Sequence, residues 1–353
     1  MVECLAAFGG DWSFTRTGHR VTLPNFVDPT SRVCCQPRGG HTVNDEAMRT
    51  AKAGTADRSA AGGTQAPGST PTTPCWLNAA VSLAAVAATL VYAPLTLIGL
   101  AVAAAVAMSL EELWPLRDQR RPPRAWATDL IHAVGNRYPV LGVTAMILAF
   151  ATPVIEAIMP RSAGEVMHSL PGWGQLIVLL MLTDLSGYFG HRALHEVPLL
   201  WRFHRIHHSS ELVDWLATSR VHPIDLGFQF AMNSLPFIAL GYDRLPAWVA
   251  GVLYLYPFIL HTNARLRFGP LERVAVSPVF HHWHHADHPL AYNKNYAALF
   301  TFWDRLFRTT YLPGGFPDRY GIGDKELDTA SYTAHLLEPL TRRGVQENPA
   351  HTP

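Results

Sequence analysis

Leu77 to Leu110 read LNAAVSLAAVAATLVYAPLTLIGLAVAAAVAMSL, 34 residues without a charge. One membrane crossing takes about 20 apolar residues. A single helix over the whole run would be about 51 Å long. Pro94 falls in the middle, where a helix is interrupted. The run therefore predicts a helical hairpin of two short spans that breaks between Tyr92 and Leu95. Further apolar stretches follow at Pro139–Pro160, Trp173–Gly190, Leu226–Gly241 and Ala247–Leu260. A short stretch taken alone is equally a buried or re-entrant helix. The long run favours the membrane reading for the set. The expected fold class is all-α: a multi-span helical membrane domain with a helical cap.

Composition agrees. Only 16% of the residues are charged, against roughly 25% in soluble domains. The net charge of +1 gives no reason to expect a nucleic-acid partner. Residues 1–75 are rich in Gly, Pro, Ser and Thr, as in AGGTQAPGSTPTTP (61–74). They are expected to form a disordered tail, and they lack the pattern of a secretory signal. The main domain is expected over 76–312, with a partly ordered C-terminal tail over 313–353. All four cysteines (Cys4, Cys34, Cys35, Cys75) precede the apolar core, so thiolate ligands are not expected in the main domain.

Arginine sets the expected orientation. Arg117, Arg120, Arg121 and Arg124 follow the hairpin, Arg192, Arg202 and Arg205 come next, and Arg265, Arg267 and Arg273 follow the last stretch. Short Arg-rich loops stay cytoplasmic. With six crossings all three regions share that side, and the residues between Pro160 and Pro171 lie opposite.

Twelve of the 18 histidines fall between His191 and His288. They form three boxes: HRALH (His191, His195), HRIHH (His204, His207, His208) and HHWHH (His281, His284, His285, enclosing His282). On a helix, positions i, i+3 and i+4 share a face, so each box can aim several imidazoles at one point. Imidazole suits Fe, Zn, Cu and Ni. The boxes hold too many ligands for one tetrahedral zinc and about the right number for two ions. All three boxes fall on the expected cytoplasmic side. Rival motifs fail: HExxH is missing, since Leu199 stands where the second histidine would be, and neither a GxSxG elbow nor a P-loop occurs. Paired HxxHH boxes also exceed the two axial nitrogens that a heme requires.

The order of the boxes and the short gap between the first two resemble the fatty acid hydroxylase/sterol desaturase superfamily of integral-membrane di-iron oxygenases. LLWRFHRIHHSS (199–210) is similar to its second box with flanks, RVHP (220–223) to its HP element, and LHTN (260–263) to its histidine–asparagine element. NYA (295–297) and WDRLFRT (303–309) are similar to its closing signature. The resemblance covers about residues 105–312. Departures are Arg308 and Ala297 where glycine is usual, and Pro257 where some members carry another histidine.

The resemblance implies two iron ions held by His191, His195, His204, His207, His208, His261, His281, His284 and His285. His222 is a further candidate ligand, and its alternative role is to start a helix. Asp184 is the candidate carboxylate for orienting a ligand, ahead of Asp214, Asp287 and Asp304. His282 and His288 are expected behind the ligands or at the surface, and Trp201, Trp283 and Trp303 at the membrane interface. The implied reaction uses O2 to hydroxylate or desaturate a C–H bond of a lipid: a fatty acyl chain, a sterol or other isoprenoid, or an ether lipid. The electrons would come from a separate ferredoxin, cytochrome or reductase. The rival class is a non-enzymatic metal-binding transporter or sensor, but transporters place ligands within the spans, whereas these boxes sit at span ends.

Overall fold

A computed structural model describes residues 75–92, 94–242 and 247–341. The expectations for the N-terminal tail fall outside them. The described residues are helical, and the only β pairing among them is three isolated bridges. The long uncharged run carries α1 (Cys75–Tyr92) and α2 (Pro94–Leu113), with Pro94 the first residue of α2; residue 93, where the break was expected, lies outside the described residues. Next come α3 (Pro123–Gly135) and α4 (Arg137–Ile158). The four later apolar stretches correspond to α4, α6 (Gly172–Glu196), α8 (Pro223–Ala239) and α9 (Ala247–Leu260). A short helix, α5 (Arg161–Ser169), links α4 to α6.

Among the described residues, α4 is the one helix long and apolar enough to cross a membrane. Its 22 residues would extend about 33 Å. Met146, Phe150, Val154 and Ile158 are all exposed on it, at helical spacing.

Packing brings the box-bearing helices together. α8 lies against both α4 and α6, and glycines let the backbones approach. A Cβ at Gly190 would meet Gln229 Oε1 at 2.6 Å, and one at Gly227 would meet Val143 Cγ1 at 2.6 Å. Box one ends α6. Pro198 then stops that helix and starts α7 (Pro198–His208), which carries box two, because the residue before a proline is driven out of the α region. Box three lies on α10 (Pro278–His284), where Pro278 is the first helical residue and the Ser277 hydroxyl accepts from Phe280 N. Tyr188, Leu260, Val276, Phe280, Tyr296 and Ala297 form a buried cluster next to the boxes. Each large apolar side chain buried there contributes roughly 1.5–3 kcal/mol. The chain continues through α11 (Phe302–Leu306), α12 (Lys325–Asp328) and α13 (Tyr332–Leu337).

Candidate metal centre

The nine histidines form two buried groups. His191, His195, His204, His208 and His284 make the first, and His207, His261, His281 and His285 the second. Within each group the potential ligand atoms all lie within 4.8 Å of one another. Box one serves the first group alone. Box two places His204 and His208 in the first and His207 in the second. Box three does the reverse, with His284 in the first and His281 and His285 in the second.

Hydrogen bonds fix which nitrogen faces inward. The Nδ1–H of His191 donates to Tyr296 O (2.8 Å), that of His207 to Arg220 O (3.3 Å), that of His261 to Pro257 O (2.7 Å) and that of His284 to Lys294 O (2.8 Å). His204 Nδ1 lies 2.9 Å from Asp225 Oδ2. In these five rings Nε2 therefore carries a lone pair toward the centre. The inward nitrogens crowd: His191 and His204 Nε2 are 3.3 Å apart, His207 and His261 3.3 Å, and His261 and His285 3.0 Å. The first two contacts pair a lone pair with a lone pair, so neither is a hydrogen bond. A cation resolves them. Nitrogens bound to one ion at about 2.1 Å and roughly 90–105° apart at the metal lie about 3.0–3.3 Å from each other. The buried Nε2 of His284 has no hydrogen-bond partner, as expected of an atom awaiting a metal.

Electrostatics keep eight of the nine rings neutral, the state that ligation requires. Burial, reinforced by neighbouring imidazoles, holds His191, His195, His207, His208, His281 and His285 well below the ordinary histidine range. Burial takes His261 down to about 4 and His284 to about 3.

The flanking motifs supply the acceptors. RVHP presents the Arg220 carbonyl to His207. The Arg220 guanidinium is fully buried, paired with Asp129 (2.7 Å) and Asp328 (2.8 Å). The 294–297 loop presents the Lys294 and Tyr296 carbonyls to box three and box one. Buried Asp304 holds that loop by accepting from Tyr296 N and Ala297 N, both at 2.9 Å. Asn295 and Arg308 adopt φ of +60° and +61°, in the left-handed region that favours glycine. Glycine is thus usual at position 308 for a backbone reason, and the arginine here adopts the same conformation.

Several expectations need correction. His222 joins neither group: its Nδ1 accepts from Ile224 N (3.1 Å), starting α8, and its Nε2–H donates to Leu336 O (3.3 Å). Asp184 accepts from Leu299 N and Phe300 N, both at 2.8 Å, and contacts no ligand. Asp214 pairs with Arg121 and Asp287 bonds Tyr292. His288 lies outside both groups as expected, half-buried against Trp283 and Tyr311. His282 does lie behind the second group, between the Tyr320 hydroxyl (2.6 Å) and Thr262 O (3.1 Å). Of the three tryptophans, Trp201 is buried against His195 and His208, Trp283 is buried and donates to Gly315 O, and Trp303 is half-buried against the core. Sequence reading missed Asp225. Its signal was its place three residues beyond His222 in a helix first turn, aimed back at box two.

Residues 176–309 match the family model described as fatty acid hydroxylase. That match bears out the resemblance to the fatty acid hydroxylase/sterol desaturase superfamily read from the boxes. An ornithine lipid hydroxylase of Rhizobium tropici is 29% identical over 246 residues, 68% of this chain and 72% of that protein. The alkylglycerol monooxygenase of Danio rerio is 34% identical over 140 residues, 40% of this chain and 31% of that protein. The lathosterol oxidase of Mus musculus is 27% identical over 166 residues, 41% of this chain and 49% of that one. No solved structure matches. The expectation of an enzyme, rather than a transporter or sensor, is borne out at the level of the superfamily.

Proposed function

We propose that this protein is a membrane-bound, O2-dependent di-iron oxidoreductase that hydroxylates, or by a second hydrogen abstraction desaturates, an unactivated C–H bond of a lipid. The observation that carries this reading is the pair of buried all-imidazole groups, with inward nitrogens 3.0–3.3 Å apart and no carboxylate among them. His191, His195, His204, His208 and His284 would hold one iron, and His207, His261, His281 and His285 the other. Neutral ligands leave bound iron strongly Lewis acidic with positions open to O2, and O2 with two electrons supplies the oxidising power. The chain's own residues orient the site and keep it dry. Asp225 and the carbonyls of Arg220, Pro257, Lys294 and Tyr296 fix ring orientation and tautomer.

The exposed apolar side chains of α2 and α4 suit contact with lipid, which supports a membrane-embedded protein, and the arginine-rich segments favour a multi-pass arrangement with the boxes on the cytoplasmic side. The catalytic domain in this reading is 76–312, with residues 324–340 supporting box two: Arg205 pairs with Asp324 and Glu338. A separate ferredoxin, cytochrome or reductase supplies electrons. The ornithine lipid and alkylglycerol relatives make polar-headed lipids the first substrates to try.

The test is to express the chain and its His207→Ala variant in cells, then measure membrane iron per chain and profile lipids. A lipid gaining one oxygen or losing two hydrogens with the wild type alone, at equal membrane insertion, is the expected result. An unchanged lipid profile with the iron-loaded wild type, supplied with reductant and candidate lipids, refutes it.

A further inference from the structure

Where α2 ends, the chain folds into a cleft of about 630 Å³ distinct from the histidine groups. Its floor is built from backbone and polar pairs. Glu111 Oε1 accepts from Trp215 N (2.8 Å) and Asn263 N (2.9 Å). Asn263 Nδ2 donates to Arg117 O (2.9 Å), and Arg265 N donates to Trp114 O (2.8 Å). Three of the six charged groups lining it, Glu111, Arg117 and Asp214, are already engaged. The Arg117 guanidinium donates to Pro317 O and lies over the Tyr320 ring, and Asp214 pairs with Arg121. Among the described residues, the side chains of Glu112, Asp118 and Arg265 have neither an ion pair nor a hydrogen bond. All three line the cleft and are exposed.

The cleft therefore offers two carboxylates and one guanidinium. The neighbouring surface is apolar: Met108 and Trp126 line the cleft, and Leu113, Trp114 and Trp126 are exposed beside it. Exposed tryptophan beside the end of an apolar helix marks the headgroup level of a bilayer. Asn263, in the floor, is two residues from His261.

We propose that this cleft binds a zwitterionic lipid headgroup, its ammonium between Glu112 and Asp118 and its anionic group on Arg265, which rests on the reading of the protein as a lipid-oxidising enzyme. A neutral glycerol headgroup leaves three charges unsatisfied. A purely anionic headgroup meets two carboxylates for one guanidinium. An amino-acid headgroup that retains an ammonium and a carboxylate satisfies both signs.

Binding is separable from turnover. Full-length protein, stripped of metal by chelation and held in uncharged maltoside detergent, is titrated calorimetrically with three amphiphiles of one chain length: N-dodecanoyl-ornithine, monododecanoylglycerol and dodecyl phosphate. The ornithine derivative binds tightest. Glu112→Gln with Asp118→Asn, and separately Arg265→Gln, each raise its Kd by roughly five- to tenfold, and 0.5 M NaCl weakens it likewise. The glycerol derivative is indifferent to all three changes. Equal binding of the glycerol derivative, tighter binding of the phosphate, or insensitivity to both the substitutions and salt overturns the proposal. Because the metal is absent, failure of the oxygenase reading would show instead as a binding cleft in a protein that oxidises no lipid.

Discussion

Asp225→Asn isolates the residue that the boxes themselves do not reveal. Asp225 Oδ2 lies 2.9 Å from His204 Nδ1, both groups are buried, and the carboxylate sits in the first turn of α8. Asparagine keeps the shape and one acceptor oxygen but removes the charge. A hydrogen bond to a charged group is worth about 1.5–3 kcal/mol and a neutral one about 1 kcal/mol. The loss is therefore about 1–2 kcal/mol, expressed through the basicity and orientation of His204. In metal affinity this is roughly 5- to 30-fold. The metal-free fold should change little: the variant loses a favourable helix-dipole contact of about 0.3–1 kcal/mol but also relieves a buried charge. The assay is iron retained per chain against a graded series of chelators, beside the melting temperature of the metal-free protein. Weaker iron binding at nearly constant apo stability is expected. Wild-type iron affinity with a lowered apo melting temperature would refute the reasoning and leave Asp225 a fold residue.

Arg308→Gly should raise stability by about 1 kcal/mol, or roughly 2 °C in Tm, because the φ of +61° suits glycine; thermal unfolding that is unchanged or lowered would contradict this. Arg205→Met removes the guanidinium 2.5 Å from the buried Glu338 carboxylate and should cost about 3–5 kcal/mol, with box two the first region to lose protection in hydrogen exchange. Acid should unfold the metal-free protein early. The folded pKa values of His261 (about 4), His284 (about 3), His282 (about 3) and His335 (about 3) lie below the unfolded value of 6.5, so the unfolded chain binds more protons across that window. Stability is then full above about pH 6.5 and falls as pH drops toward 4 and below, by up to about 1.4 kcal/mol per pH unit for each such histidine; a flat denaturation midpoint between pH 6.5 and 4.5 would rule this out.

The convergence of the box histidines was legible because helical spacing turns HxxxH and HxxHH into converging faces before any tertiary structure is known, whereas His261 came only from the resemblance. The start of α2 at Pro94 was legible for an equally local reason. What supports the ligands was not legible. Four of the five Nδ1 acceptors identified are backbone carbonyls or a carboxylate remote in sequence: Tyr296 is 105 residues from His191, Lys294 is 10 from His284, Arg220 is 13 from His207 and Asp225 is 21 from His204. A carbonyl carries no side-chain signature. Asp184 looked suitable by helical spacing from His191, yet two backbone amides of the 299–300 turn take both its oxygens. The packing role of Trp201 was not legible either, since an indole beside a box reads as interfacial, while the fold packs it on His195 and His208.

The split of each box between two groups predicts unequal tolerance to ligand loss. On a helix, i and i+4 differ by about 40° around the axis, while i+3 lies about 100° from i+4. An HxxHH box therefore straddles two centres: its outer pair serves one and its middle histidine the other. Box two gives its outer pair to the first group and box three gives its outer pair to the second, while box one adds two more to the first. The result is five ligands against four. His195→Ala leaves four nitrogens in the first group, as many as the intact second group has. His261→Ala leaves three in the second, and it removes the ring whose Nε2 lies within 3.0–3.3 Å of its three neighbours His207, His281 and His285. Iron analysis of the purified variants should thus show near wild-type loading for His195→Ala and loss of about one ion per chain for His261→Ala. Equal loss in the two variants would mean that the groups do not load as separate centres, and the five-to-four division would carry no functional weight.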